Sequence, residues 1–156
     1  MRYLKASLAV CAISMGAMFA SGASAQEVGA SPTFADVSLS AGFMPDPHRV
    51  AIVAGGTIDA VSSRGGRCVG KIASAPDVRL TYGAGSNLLK IKVTSNEDTT
   101  LVVNGADGTW YCDDDSGGGT NPMFLKRNPD AGVYEIWVGT YGDTPVDAVI
   151  EITEVD

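Results

Sequence analysis

Short apolar runs separated by glycine and other turn residues dominate the chain after residue 49. Apolar and polar positions alternate most clearly in Leu89–Thr94 and again in Val146–Thr153, where Val149 is the exception. A period of two residues is typical of a strand with one buried face. This pattern predicts ten strands: Val50–Val53, Thr57–Val61, Cys68–Ile72, Val78–Tyr82, Leu88–Thr94, Thr100–Asn104, Thr109–Cys112, Met123–Lys126, Val133–Tyr141 and Val146–Val155.

Many short strands at regular spacing, with turn residues between them, are typical of a β-sandwich or barrel. The predicted fold class is therefore all-β, a single antiparallel β-sandwich or jelly roll that spans residues 48–156. Residues 26–47 lack a regular pattern and are predicted to form an irregular N-terminal arm. Phe34, Leu39 and Phe43 are expected to anchor the second part of this arm to the core.

Residues 1–25 have the three-part pattern of a secretory signal peptide. Arg2 and Lys5 precede an apolar stretch, Leu8–Phe19, and small residues then continue to Ala25. Cleavage near Ala25 would make Gln26 the first residue of the mature protein. No later stretch approaches the roughly 20 apolar residues of a membrane helix. The sequence therefore predicts a periplasmic or secreted protein without a membrane span.

Charge is divided unevenly along the exported part. The whole chain has a formal net charge of −7. Residues 26–96 carry seven basic and five acidic side chains, whereas residues 97–156 carry two basic and thirteen acidic ones. Such an acidic chain lacks the basic surface that displaces counterions from nucleic acid, so no nucleic-acid partner is expected.

Two cysteines remain after the predicted leader, Cys68 and Cys112. An even number of cysteines in an exported domain is most simply explained by a disulfide. We therefore predict one disulfide that joins Cys68 to Cys112. Pairing the two thiols leaves His48 without the further nitrogen and sulfur ligands that a zinc site needs.

A β-hairpin is predicted around Gly105 and Gly108, because Asn-Gly and Asp-Gly favour the positive φ of a tight turn. If the hairpin pivots midway between these glycines, its paired residues are Leu101 with Cys112, Val103 with Trp110, and Asp98 with Asp115. Leu101, Val103, Trp110 and Cys112 would then share one apolar face.

The open end of this hairpin is the predicted metal site. In the register above, Asp98, Asp113 and Asp115 share a face, and carboxylates at such short range either raise a pKa or recruit a cation. Hard oxygen ligands suit Ca²⁺, so a calcium site is predicted near Asp98 and Asp113–Asp115, with Asp114 among its candidate ligands. Asp107 lies at the hairpin tip and could ligate only if another loop approached.

Two alternatives to this calcium site stay open. The aspartates can also form a solvated acidic turn. A shift of one residue in the pairing would exchange which aspartates converge, because alternate residues of a strand face opposite sides.

Four aromatic residues are candidates for contact with a protein or polysaccharide partner: Trp110, Tyr111, Trp137 and Tyr141. Core packing is the alternative for the two tryptophans, since buried aromatic rings supply much of the apolar area of a small domain.

Asp115-Ser116-Gly117-Gly118 copies most of the sequence around the nucleophile of chymotrypsin-like proteases. Such a serine needs a histidine base within hydrogen-bond reach and a carboxylate that orients the base. The one histidine, His48, lies in a Pro-Asp-Pro-His-Arg context that does not match that family. We therefore predict a protein that is not an enzyme. A serine peptidase using Ser116 and His48, and a structural envelope or matrix protein assembling through strand edges, are the alternatives.

The second half of the chain resembles the bacterial pre-peptidase C-terminal domain. The resemblance lies in Asp98-Thr99-Thr100-Leu101, in the Asp113–Gly118 segment, and in Ala131-Gly132-Val133-Tyr134 with the following strand to Tyr141. It implies a non-catalytic jelly-roll module, Ca²⁺-bound in some members, that serves adhesion, substrate binding or enzyme maturation. We therefore expect an exported binding or accessory module, stabilised by Ca²⁺, that stands alone without an attached protease domain.

Overall fold

A computed structural model describes residues 26–60, 68–83 and 85–156. The predicted signal peptide, residues 1–25, lies outside the described residues, as does Val61 at the end of one predicted strand. The regular elements of the described chain are strands: β1 Ala35–Ser40, β2 His48–Ala54, β3 Ile58–Asp59, β4 Lys71–Ile72, β5 Val78–Gly83, β6 Leu88–Thr94, β7 Thr99–Asn104, β8 Trp110–Asp113, β9 Met123–Arg127, β10 Gly132–Thr140 and β11 Val146–Thr153.

The strands form two sheets that pack face to face, so the predicted all-β sandwich is confirmed. The first sheet has seven strands, in which β10 pairs with β5, β4 and β7, while β1, β3 and β8 extend the sheet outward. The second sheet has four strands in the order β2-β11-β6-β9. All pairs are antiparallel except β1 with β5, which are parallel.

The prediction that residues 26–47 form an irregular arm is wrong for Ala35–Ser40, which form β1 and extend the first sheet. Val37 and Leu39 of this strand pack into the core, while Asp36 and Ser38 are exposed. Phe43 also packs against the core, but Phe34 is 39% exposed. The strand was missed because its alternation of Ala35, Val37 and Leu39 with polar residues spans only six residues and turn residues surround it.

The main core lies between the sheets. Each inner face contributes alternate residues of its strands, such as Leu80, Ile136 and Leu101 from the first sheet and Ile91 and Ile150 from the second. Fully burying one such side chain is worth roughly 1.5–3 kcal/mol. This core fixes the register of every strand that contributes to it.

A second, smaller apolar cluster lies on the outer face of the first sheet. Trp137 is its centre and is fully buried beside Val102 and Ile72. The predicted disulfide between Cys68 and Cys112 is present in this cluster, with its Cα atoms 5.2 Å apart. Because the outer face is covered here, β10 is buried on both sides from Tyr134 to Thr140.

The predicted register of the β7–β8 hairpin is wrong by one residue. The observed pairs are Leu101 with Asp113, Val102 with Cys112, Val103 with Tyr111, and Asn104 with Trp110. Trp110 and Cys112 therefore share the outer face with Val102, whereas Leu101, Val103 and Tyr111 face the main core.

The turn of this hairpin explains the shift. Gly105 N donates to Thr109 O at 2.8 Å, and Gly108 N donates to Gly105 O at 2.8 Å. Three residues, 106–108, thus form the loop, and Gly108 has a φ of +74°. A three-residue hairpin loop with a left-handed residue at its end is a common alternative to the two-residue turn.

Candidate functional site

Three carboxylates converge where β8 ends and β7 begins. Oxygen atoms of Asp98, Asp114 and Asp115 lie within 4.8 Å of one another, and we call these three residues the Asp98 cluster. Asp98 precedes β7 directly, and the other two follow β8 directly. Because β7 pairs with β10, Tyr141 at the end of β10 lies beside Asp98 and closes one side of the cluster.

The shifted register turns Asp113 away from the Asp98 cluster. Asp114 takes the side of the sheet that Cys112 occupies, and Asp113 takes the opposite side with Tyr111. Asp113 Oδ2 accepts hydrogen bonds from Met123 N at 2.8 Å and Ser116 N at 3.1 Å. The Asp113 carboxylate thus stabilises the loop between β8 and β9 through hydrogen bonds, and it lies outside the Asp98 cluster.

Electrostatic repulsion and burial act together on Asp114. Burial is the main cause that raises the pKa of this carboxyl, and the charge of Asp115 is the next. Tyr141 Oη donates to Asp114 Oδ2 at 3.3 Å, which offsets part of the effect. In turn, the negative charge of Asp114 raises the pKa of the Tyr141 hydroxyl. The side chains around the ionised cluster therefore balance only part of its negative charge.

One atom of the cluster fits a bound cation in particular. Asp114 Oδ1 is buried and has no hydrogen-bond partner among the described residues. Two oxygens on opposite sides of a Ca²⁺ ion lie about 4.6–5.2 Å apart, twice the usual Ca–O distance. The oxygens of the Asp98 cluster all lie within 4.8 Å of one another, close enough to contact one such ion. The residues present therefore fit an all-oxygen divalent cation.

At the other end of the hairpin, Asp107 already has a cation of its own. Lys126 Nζ lies 2.8 Å from Asp107 Oδ2 and 2.9 Å from Asp130 Oδ2. This contact, with a hydrogen bond from Thr109 N, holds the pKa of Asp107 well below its usual range. The same two carboxylates raise the pKa of Lys126. Asp107 therefore does not contribute to the Asp98 cluster.

The four candidate aromatic residues divide by exposure. Trp137 is fully buried, and its Nε1 donates to Ser74 O at 3.2 Å, so it is a core residue. Trp110 is half-buried and contacts it, with ring centroids 5.4 Å apart. Tyr111 is half-buried against Phe124. Tyr141 is 54% exposed and is the candidate most open to a partner.

The arrangement of Ser116 and His48 does not support a catalytic pair. His48 begins β2, one edge of the second sheet, and Ser116 lies in the loop that leads to β9 at the opposite edge. Strands β11 and β6 separate these edges, so β2 and β9 lie about 14 Å apart, three strand spacings. Ser116 Oγ instead donates to Asp113 Oδ1.

Two charged residues that surround Asp107 were missed by sequence reasoning. Lys126 and Asp130 stand four residues apart at the end of β9, and no local motif marks them as partners of Asp107. Their contact depends on the second sheet bringing β9 beside the hairpin tip. The apolar run Met123–Leu125 was the available signal, but it marks only the strand.

Among the described residues, no helix has the length and apolar character required to cross a membrane. The fold and the site define a disulfide-linked β-sandwich that carries a surface cluster of three carboxylates.

The sequence matches no family model and no curated protein. The structure is similar to the pre-peptidase C-terminal domain of a collagenase from Bacillus anthracis, with 11% identity, a TM-score of 0.46, and coverage of 80% of this chain and 100% of that one. It is also similar to PliG of Aeromonas hydrophila, a periplasmic inhibitor of g-type lysozyme, with 12% identity, a TM-score of 0.39, and coverage of 76% and 98%.

Proposed function

We propose that this protein is an exported, non-catalytic binding module stabilised by Ca²⁺ at the Asp98 cluster. The observation that carries the proposal is the convergence of Asp98, Asp114 and Asp115, one of which has a buried oxygen, Asp114 Oδ1, without a hydrogen-bond partner among the described residues. A divalent cation there would neutralise part of the acidic charge of residues 97–156. It would also join the start of β7 to the end of β8, beside the end of β10.

The ligand chemistry favours Ca²⁺ over its common competitors. The cluster offers carboxylate oxygens, with no imidazole or thiolate among its members. Such ligands suit hard cations, and Ca²⁺ tolerates the irregular arrangement of six to eight oxygens that a surface loop provides. Mg²⁺ demands a tighter octahedron, with opposite oxygens about 4.0–4.2 Å apart.

The binding role rests on two further observations. The disulfide suits an oxidising compartment, as expected of an exported protein cleaved near Ala25. Tyr141 is exposed and contacts the Asp98 cluster directly. Cation binding would therefore affect the affinity of a protein or polysaccharide that contacts this ring. Tyr141→Ala should weaken binding on protein and glycan arrays without changing the fold.

Thermal melting with and without Ca²⁺ tests the cation site. Binding to the folded state alone raises stability by RT ln(1 + [L]/Kd), about 2.7 kcal/mol at a hundredfold excess over Kd. Asp114→Asn should abolish the rise in melting temperature because it removes a ligand charge at the buried position. Asp143→Asn, an exposed aspartate in the loop between β10 and β11, removes the same charge elsewhere and should keep the full rise.

Two results would refute the proposed cation site. One is a melting temperature that does not respond to millimolar Ca²⁺. The other is an equal response in Asp114→Asn and Asp143→Asn, because that would indicate general charge screening. For the non-catalytic assignment, a fluorophosphonate probe should leave Ser116 unlabelled, and labelling there would contradict it.

A further inference from the structure

Strand β9 forms an open edge of the second sheet, because β6 is its only partner among the described strands. Val93 N donates to Pro122 O at 3.1 Å, and Asn128 N donates to Asn87 O at 3.0 Å. The even-numbered residues of β9 and its flanks thus direct their main chain toward β6. Because successive residues of a strand alternate in direction, the N–H and C=O groups of the odd-numbered residues point to the free edge.

Two of these odd-numbered residues differ in what they meet at the edge. Met123 N donates to Asp113 Oδ2 at 2.8 Å, so the edge is capped at its first residue. The N–H and C=O groups of Leu125 have no such partner in the described part of the chain. An extended segment that paired with β9 would satisfy both groups, as in recognition by strand addition.

A cavity lies beside this edge, between β8 and β9. Its volume is about 150 Å³. Its walls are mainly apolar and include Leu101, Val103, Tyr111, Phe124 and the half-buried Asp113. An apolar cavity of this size takes a group as large as benzene. In an antiparallel partner strand, the residue opposite Phe124 would point inward as Phe124 does, and an apolar side chain there would enter the cavity.

The partner residues opposite Leu125 and Arg127 would point to the outer face of the sheet instead. The Arg127 side chain is 70% exposed and pairs only with Asp156, at 3.8 Å. Lys90 and Lys92 of β6 lie on the same face, and neither has an ion pair among the described residues. Acidic side chains would complement these three cations.

We propose that the β9 edge docks an extended segment of a partner protein in which acidic residues alternate with apolar ones. A second copy of this chain fits the edge less well. If two β9 strands paired around Leu125, Arg127 of one copy would face Met123 of the other, and Met123 N would have to leave Asp113. The proposal goes beyond the calcium-stabilised module and does not require a bound cation.

Calorimetric titration with synthetic peptides tests the proposal, in EDTA so that the cation site has no influence. The probe is a capped peptide that alternates glutamate with leucine. In the antiparallel pairing, its glutamate N–H groups face β9 and its leucine N–H groups face away. N-methylation of the glutamates should therefore weaken binding about tenfold or more, whereas N-methylation of the leucines should leave the affinity unchanged. Equal losses in both forms, or no binding of the parent peptide, would overturn the proposal.

Variants of the protein test the same edge from the other side. Leu125→Pro removes the N–H that faces the partner but no hydrogen bond to β6, and an edge strand tolerates proline at such a position. Binding of the parent peptide should be lost, while the melting temperature stays close to that of the wild type. Unchanged affinity, or self-association of the wild type that Leu125→Pro abolishes, would contradict the proposed occupant.

A matched pair of charge reversals tests the acidic positions of the partner. Arg127→Glu should weaken binding of the parent peptide about tenfold. Arg49→Glu makes the same change on β2, the opposite edge strand, where the side chain is 60% exposed, and it should leave the affinity unchanged. Equal losses in the two variants would indicate a general charge effect and would overturn the assignment to β9.

Discussion

The two ends of the β7–β8 hairpin carry the same residue type in opposite electrostatic states. At the tip, Asp107 and Asp130 share Lys126, and the pKa of Asp107 is lowered. At the open end, Asp114 faces Asp98 and Asp115 without a described cation, and its pKa is raised. The acidity of this half of the chain is therefore not uniform: the carboxylates at one end have a lysine between them, whereas the carboxylates at the other end mainly face one another.

The largest effect on the free energy of unfolding is expected at Asp77, a carboxylate in the protein interior. Burial is the main influence on its pKa, so it shows what burial does without a neighbouring charge. Asp77 is 1% exposed, Val138 N donates to its Oδ2 at 2.6 Å, and burial raises its pKa from 3.8 to about 7. A raised pKa means that the folded state binds this proton more tightly than the unfolded state. The contribution is therefore unfavourable as pH rises from about 4 to about 7, and it is constant above that range.

Asp77→Asn keeps an oxygen for Val138 N and removes the charge. We expect the variant to be more stable than the wild type at pH 8 by on the order of 3 kcal/mol, and to be equal to it below pH 4. Urea unfolding at several pH values measures the difference. A constant difference across this range would show that packing, rather than ionisation, governs the position.

Lys126→Met removes the positive charge at the hairpin tip and leaves the carboxylates of Asp107 and Asp130 facing each other. The Lys126 side chain is 18% exposed, and its removal should cost about 2 kcal/mol, below the cost for a fully buried pair. Denaturant unfolding at low salt measures the loss. Arg127→Met is the control on the same strand, because the side chains of Arg127 and Asp156 are each 70% exposed and such a pair is worth little. Equal losses in both variants would contradict the special role of the tip.

The uncompensated end can be given a cation of its own by Asp115→Lys, which copies the arrangement at the tip. The new ammonium should stabilise the Ca²⁺-free protein by about 1 kcal/mol, because it replaces a repulsive neighbour of Asp98 and Asp114 with an attractive one. The response of the melting temperature to Ca²⁺ should disappear at the same time. A variant less stable than wild type in the absence of Ca²⁺ would refute the idea that the cluster lacks positive charge.

The sequence predicted the strands well because apolar runs and turn residues punctuate them directly. It also predicted the disulfide, since only two cysteines follow the leader. It missed β1, in which Ala35, Val37 and Leu39 contact the core but the alternating pattern is only six residues long. Strand order in the sheets was beyond local patterns, because it depends on contacts between distant segments.

Of the aspartates expected to meet at the open end of the hairpin, Asp98, Asp114 and Asp115 lie close together and Asp113 does not join them. The error came from a single residue in the loop at Gly108, which extends the turn to three residues. A shift of one residue moves Asp113 to the core side, as the period of a strand requires, whereas Asp114 and Asp115 lie beyond β8 and both remain beside Asp98. Turn length therefore decides which side Asp113 takes, and dipeptides such as Asn-Gly do not determine it alone.

A crystal structure with Ca²⁺ in the crystallisation solution tests the central claim most directly. Anomalous difference density should show one cation between Asp98, Asp114 and Asp115, with oxygen ligands at about 2.3–2.6 Å, and no cation at Asp107, where Lys126 supplies the positive charge. A cation bound at Asp107 or Asp113 instead, or no cation at millimolar Ca²⁺, would contradict the account.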